Sequence, residues 1–145
     1  MPGATLRITG THDPRWREVV ALRHDVFVVG QRVPLDIEQD GLDADAWHVV
    51  AELGPDIVGT LRVLPEGDTA HIGRVAVRAD QRRRGLAARM MGAALDEAHA
   101  RGFVRALLHS QSYIAELYEK LGFVVQGEPF EEAGIEHVTM VRDIS

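Results

Sequence analysis

Two hydrophobic periods take turns along the 145-residue chain. Residues 4–9 alternate between apolar and polar positions, which predicts a first strand. Asp13-Pro14 has the chemistry of a helix start, with Asp13 as N-cap and Pro14 at the first helical position. Over residues 15–27, Trp16, Val19, Val20, Arg23 and Phe27 recur at helical spacing. Residues 33–45, broken by Pro34 and Gly41, predict a loop or a short irregular helix. Residues 47–53 and 57–64 are rich in β-branched side chains and flank Gly54-Pro55-Asp56, the pattern of an antiparallel hairpin. A turn over residues 65–68 leads to a third strand at 70–77. The pattern then changes sharply. Residues 78–84 are polar, and from Gly85 a helix is predicted whose apolar face is Leu86, Met90, Met91, Ala94, Leu95 and Ala98. Gly102 is its natural stop. Residues 104–109 predict a strand, and 113–121 a short helix ended by Gly122. Residues 123–126 and 136–142 predict two closing strands, with 128–134 as their connection. The order β-α-(irregular)-β-β-β-α-β-α-β-β makes one α/β (α+β) domain over residues 1–145, with a mixed sheet in two or three layers.

Composition narrows the chemistry. Hydrophobic residues are 46% and charged residues 26%, ordinary for a folded domain. Cysteine is absent, which excludes disulfides, thiol catalysis and cysteine metal sites. The seven histidines show no H-x-x-x-H pair, so no metal is expected. A net charge of −6 argues against nucleic acid as a partner, because phosphate contacts need the opposite excess. No apolar run approaches the roughly 18 residues of a membrane span, and the start lacks a signal pattern. The expectation is a cytoplasmic domain without a membrane partner. Walker, dinucleotide-binding and nucleophile-elbow motifs are all missing.

The charge is unevenly spread. Five carboxylates (Asp36, Glu38, Asp40, Asp43, Asp45) crowd one segment, which reads as a solvated acidic surface able to draw a cationic amine. Six arginines (Arg74, Arg78, Arg82, Arg83, Arg84, Arg89) surround the strand–Gly85–helix junction with Asp80 as the only acid there. The first N–H groups of a helix have no internal partner and carry partial positive charge, so this junction is an anion site.

Arg82-x-x-Gly85-x-Ala87, placed between a strand and a long helix, resembles the acyl-CoA signature of the GNAT superfamily of N-acetyltransferases. Leu117-Tyr118-x-x-x-Gly122-Phe123 is similar to the superfamily's second recurring segment. Leu22-Arg23-x-x-Val26-Phe27-Val28, Glu38-x-Asp40, His48 and the tail Gly134-Ile135-Glu136-His137-x-x-Met140 resemble its ElaA-like branch. The resemblance covers nearly the whole chain. It implies the GNAT fold: a central mixed, mostly antiparallel sheet of six to seven strands, flanked by helices and splayed at the acyl-CoA site. It implies acetyl-CoA as cosubstrate, no metal, a small-molecule or peptide amine as acceptor, and a homodimer. The implied reaction is direct attack of a primary amine on the thioester through a tetrahedral intermediate. A non-catalytic acyl-CoA sensor or interaction module with the same fold is the alternative.

Residue by residue, the resemblance gives the pantetheine arm to Val75, Ala76 and Val77. It gives the pyrophosphate to Arg82, Arg83, Arg84, Gly85, Leu86, Ala87 and Ala88. Gln111 stands where many members have an Asn that contacts the cofactor, and Tyr118 matches their general acid. Glu38 and His109 are the base candidates, with Asp40, His48 and His71 as further ones. Arg23, Phe27, Glu38, Asp40, His48, Arg62 and Arg74 are candidates for the acceptor site. Arg23, Arg62 and Arg74 either pair with Glu38 or Asp40 or bind an acidic substrate group. Two departures stand out. Gly30-Gln31 replaces the Glu-Gln usual in the branch, and His109-Ser110 precedes Gln111.

Overall fold

The computed structural model describes residues 3–145; Met1 and Pro2, within the expected domain, lie outside the described residues. Seven strands form one sheet in the order β1-β2-β3-β4-β5-β7-β6. They are β1 (Thr5–Thr9), β2 (Trp47–Leu53), β3 (Asp56–Glu66), β4 (Thr69–Val77), β5 (Arg105–Gln111), β6 (Val124–Glu132) and β7 (Ile135–Asp143). Every pairing is antiparallel except β4 with β5. The helices are α1 (Trp16–Arg23), α2 (Leu35–Glu38), α3 (Leu86–Ala100) and α4 (Ala115–Glu119). The expected mixed sheet flanked by helices is what forms.

One apolar cluster lies between the sheet and α3. Leu86, Met90, Met91, Ala94, Leu95 and Ala98 face Val49, Leu61, Val63, Ile72 and Leu108. These are the helical positions the sequence pattern selects. Gly59 lets α3 come close: a Cβ there would lie 3.0 Å from the Met90 sulfur and 3.2 Å from Leu86. A smaller cluster on the opposite face packs Val19, Leu22 and Val26 against Val50, Ile57 and Ala76.

Three local expectations are corrected. First, Asp13 is not the N-cap: α1 starts at Trp16 with Arg15 at the cap position. The Asp13 carboxylate accepts from the Arg15 amide at 2.8 Å and pairs with Arg7, so it closes the turn before the helix. These bonds hold its pKa well below the usual carboxylate range, Arg7 contributing most. Second, the α-helix stops at Arg23, and residues His24–Gly30 continue as a wider π-helical turn. The run Val26-Phe27-Val28-Val29 is largely β-branched and crowds an α turn. The wider turn puts Val26 in the core and its neighbour Phe27 on a cavity. Third, residues 128–134 are not a loose connection. β6 runs to Glu132, and the hairpin turns on Ala133 and Gly134 alone, both with positive φ (52° and 78°), as a primed two-residue turn requires.

The feature that makes a site is a break in β4. Its register against β3 slips between the pairs Arg62↔Gly73 and Thr60↔Ala76, leaving two β4 residues opposite one. Arg74 takes φ 53° there. The extra residue reverses which side chains face α3: Ala70 and Ile72 do so before the bulge, Val75 and Val77 after it. Pairing of β4 with β5 also ends at Ile72↔Leu108. Beyond that point the two strands diverge and leave a wedge in the middle of the sheet.

Candidate active site

The wedge has a positive end. After β4 a short 3-10 turn (Ala79–Gln81) leads to Arg82, and the chain enters α3 through Arg83 (φ 63°) and Gly85 (φ 76°). The amides of residues 83–88 have no backbone acceptor among the described residues; the first to find one is Arg89, bonded to the Gly85 carbonyl at 3.1 Å. Six adjacent N–H groups at a helix start are a nest for an anion. Glycine at 85 meets the left-handed φ without a Cβ penalty.

The arginines around this nest are not equivalent. Arg78 is held by Asp80 and Asp56. Arg82 donates to the Val77 carbonyl at 3.0 Å and Arg89 to the Ala4 carbonyl at 2.8 Å, so each keeps its charge uncompensated. Arg83 and Arg84 are exposed and have no acidic partner among the described residues. Arg74 belongs elsewhere. The local positive charge is therefore carried by Arg82, Arg83, Arg84 and Arg89.

At the other end of the wedge is a cavity of about 730 Å³. Its walls include Phe27 and Gln31 from the π-turn, Ile37, Glu38 and Asp40 from the α2 segment, and Arg62 and Glu66 from β3. His71, Arg74 and Val75 come from β4, His109 and Gln111 from β5, Tyr118 from α4, and Glu132 and His137 from the β6–β7 hairpin. Tyr118 is partly buried beside Phe123, ring centroids 6.4 Å apart, and burial pushes its pKa above the usual tyrosine value. It therefore stays a proton donor at neutral pH. Val75 also lines the cavity and Arg82 grips Val77, so β4 connects the cavity to the nest.

The acidic segment is a solvated surface only in part: Asp36 and Asp45 are exposed, while its centre pairs with arginines, one of the two courses the sequence left open. Glu38, Asp40 and Asp43 form a network with Arg23, Arg62 and Arg74. Glu38 lies 2.9 Å from Arg23 Nε and 2.8 Å from Arg74 Nε, close in distance though not aligned as hydrogen bonds. Asp40 accepts both Arg62 nitrogens at 2.8 Å, and Asp43 takes Arg23 at 2.8 Å. Three guanidiniums face three carboxylates, so their charges cancel. Burial works against ionised Asp40, but the Arg62 bonds and the Leu42 amide outweigh it and bring its pKa down to about 2. Arg23 is 1% exposed and off the cavity, so it holds Glu38 and Asp43 and does not face an acceptor. His48 is also fully buried off the cavity, edge-on to Trp16 and bonded to the Asp43 carbonyl at 3.1 Å. Burial pushes its pKa down. The remaining candidates, Phe27, Glu38, Asp40, Arg62 and Arg74, do line the cavity.

The opposite wall carries two of the base candidates, His71 and His109; what sequence reading missed is their grouping with Phe130 and His137. His71, His109, Phe130 and His137 make a chain of ring contacts, with centroid separations of 4.9, 5.0 and 6.0 Å. Glu66 and Glu132 stand beside them, without an arginine partner among the described residues. With Asp36 on the α2 segment, they give the cavity its negative character. Strand parity was the available signal: His71, His109 and His137 each alternate with a core residue, Ile72, Leu108 or Val138. No group of three metal-ligating side chains gathers among the described residues. No helix among them is long and apolar enough to cross a membrane.

Comparison with known proteins converges on one family. The family model described as "Acetyltransferase (GNAT) domain" matches residues 24–144. Protein ElaA of Escherichia coli is 30% identical over 131 residues, 87% of this chain and 86% of that protein. Its crystal structure superposes with a TM-score of 0.86 at 26% identity, covering 96% of this chain and 99% of that one. A structure from Lactobacillus plantarum gives a TM-score of 0.90 at 29% identity, covering 99% and 100%. A Pseudomonas aeruginosa structure described as an acyl-CoA N-acyltransferase gives 0.85 at 30% identity, covering 96% and 99%.

Proposed function

The chain belongs to the GNAT acetyltransferase family, as an ElaA-like member, and on that premise we propose that it transfers an acetyl group from acetyl-CoA to a primary amine. Acyl-CoA-dependent acyl transfer is the family's chemistry. The observation that carries the finer reading is the wedge: two strands that part beside a nest of six amides without a backbone acceptor among the described residues, with a partly buried tyrosine at the same opening.

The residues present fit coenzyme A. An unpaired strand edge suits an amide-bearing arm, and β4 past Ile72 has lost β5 as its neighbour. The amides of Arg83, Arg84, Gly85, Leu86, Ala87 and Ala88 suit a pyrophosphate. Arg82, Arg83 and Arg84 add charge there. Val75, Ala76, Val77 and Gln111 hold the arm. When bound, the cosubstrate supplies an activated acyl thioester.

Within the chain, Tyr118 is the general acid that gives its hydroxyl proton to the departing sulfur. A backbone N–H of β4 near the bulge stabilises the negative oxygen that develops. The acceptor amine occupies the cavity between the α2 segment and the β6–β7 hairpin. Its charge preference comes from Glu66, Glu132 and Asp36, since Glu38, Asp40 and Asp43 are neutralised in their network. A cationic or polar amine is therefore favoured over an anionic one.

The test measures thiol release from acetyl-CoA with spermidine, kanamycin and a peptide amide as acceptors. Calorimetry with CoA runs alongside. Amine-dependent thiol release with tight CoA binding is the expected result. CoA binding with no turnover on any amine overturns the catalytic reading.

A further inference from the structure

An alkyl amine is protonated at neutral pH and must lose a proton before it can attack. The transfer site therefore needs a side chain with a free lone pair on the cavity. Glu38 and Asp40 are not free to serve, because each lies against two guanidinium groups that protonation would leave without a counter-charge. Three histidines line the cavity. His137 Nδ1 lies 2.7 Å from the Ile135 carbonyl. A carbonyl only accepts, so Nδ1 carries the hydrogen and the lone pair is on Nε2, which faces Glu132 at 3.7 Å. His109 is wedged edge-on between His71 and Phe130, its Nδ1 3.5 Å from Glu132.

His71 differs. Its Nδ1 lies 3.0 and 3.1 Å from the two oxygens of Glu66, so Nδ1 is the donor and Nε2 carries the lone pair. Among the described residues Nε2 has no hydrogen-bond partner, and His71 lines the cavity. A base whose other nitrogen is fixed by a carboxylate is the arrangement that directs a proton transfer. We propose that His71, held by Glu66, is the general base for the acceptor amine. This inference rests on the acetyltransfer reading and supplies the proton acceptor that reading needs.

The step balances simply. The ammonium N–H bond breaks, its proton goes to His71 Nε2, and the nitrogen keeps the electron pair. The imidazolium is stabilised by Glu66 through Nδ1–H and returns the proton to water, since His71 and Glu66 are both partly exposed. Other charged or titratable groups share this cavity. They are Arg62 on β3, Arg74 on β4, His109 on β5, Tyr113 after β5, Tyr118 on α4, Glu132 on β6, His137 on β7, and Asp36, Glu38 and Asp40 from the α2 segment. Histidine fits this duty because its unperturbed pKa is close to neutrality.

The experiment compares wild type, His71→Gln, His71→Ala and Glu66→Gln, each as the full chain. Thiol release is followed across the pH range with the best amine of the panel above and with hydroxylamine, which is already neutral at pH 7. CoA affinity is measured for every variant. His71→Gln should lower kcat/KM for the alkyl amine by about 10²-fold at neutral pH. Its rate should then climb with pH as the amine deprotonates unaided, while CoA affinity stays near wild type. Hydroxylamine turnover should fall far less, and imidazole should restore part of the His71→Ala rate. Glu66→Gln should shift the pH profile and lower kcat more than it raises KM. An unchanged rate and pH profile in His71→Gln overturns the proposal. Equal loss for both nucleophiles without imidazole rescue also overturns it, because that pattern marks a structural role. If the wild type turns over no nucleophile at all, the acetyltransfer reading falls and this proposal with it.

Discussion

Arg74 Nε lies 2.8 Å from Glu38 Oε2, so the bulge of β4 is fastened to the end of α2. The residue that breaks the strand is thus also the residue that holds the opposite wall of the cavity. Arg74 has a left-handed φ of 53°, a conformation that costs a non-glycine residue about 1–2 kcal/mol. Its contacts to Glu38, Asp40 and the Ile37 carbonyl offset that cost.

The buried partner of Glu38 is Arg23, with both side chains at most 3% exposed. Arg23→Leu leaves Glu38 without one of its two guanidiniums and should cost about 3–5 kcal/mol. Urea unfolding measures it. The double replacement Arg23→Met with Glu38→Leu should recover part of the loss, because no unpaired charge then stays inside.

Acid should loosen the same network. The pKa of Asp40 is about 2 in the folded protein against an ordinary 3.8. A depressed carboxylate contributes stability that is complete above the ordinary value and is lost as pH falls towards the folded value. The unfolding free energy should therefore decline between about pH 4 and about pH 2, and Asp40→Asn should flatten that part of the curve. His48, also depressed, acts earlier: stability should begin to fall as pH drops below about 6.5, and His48→Gln should remove that slope. Denaturant titrations at fixed pH values read both.

At the nest, Arg83→Ala and Arg84→Ala should weaken CoA binding several-fold at low salt. The difference should shrink at high salt, because both guanidiniums are exposed and screened. Gly85→Ala should cost about 1 kcal/mol of stability through its φ of 76° and weaken CoA binding as well. Calorimetry at two ionic strengths separates the charge effect from the backbone effect.

Tyr118→Phe should keep CoA affinity and lower kcat by about 10²-fold. Because burial raises the Tyr118 pKa, the wild-type rate should not fall on its account until pH passes about 10. Steady-state rates at neutral and alkaline pH test this.

The sequence pattern was a good guide where structure is local. Residues 86–98 show their buried face by spacing alone, and Gly85 marks the entry because the cap position of α3 takes a left-handed φ. It left the acidic segment open between a solvated surface and pairing with arginines. Glu38, Asp40 and Asp43 look like surface until their partners are known, and those partners come from α1, β3 and β4. The two helix-boundary errors near Asp13 and Arg23 share a cause. Side chains there serve a turn and a cavity, which short-range propensity does not register.

Element order, the α3 face and the anion nest follow from periods and φ demands that act within a few residues. The choice of neighbours does not. Only the folded sheet sets β5 parallel to β4, ends their pairing at Ile72, and turns His71, His109 and His137 onto one wall beside Glu66 and Glu132. Alternation along a strand says that a side chain leaves the core. It does not say which strand will lie alongside or in what register, because that is decided by packing between segments distant in the chain.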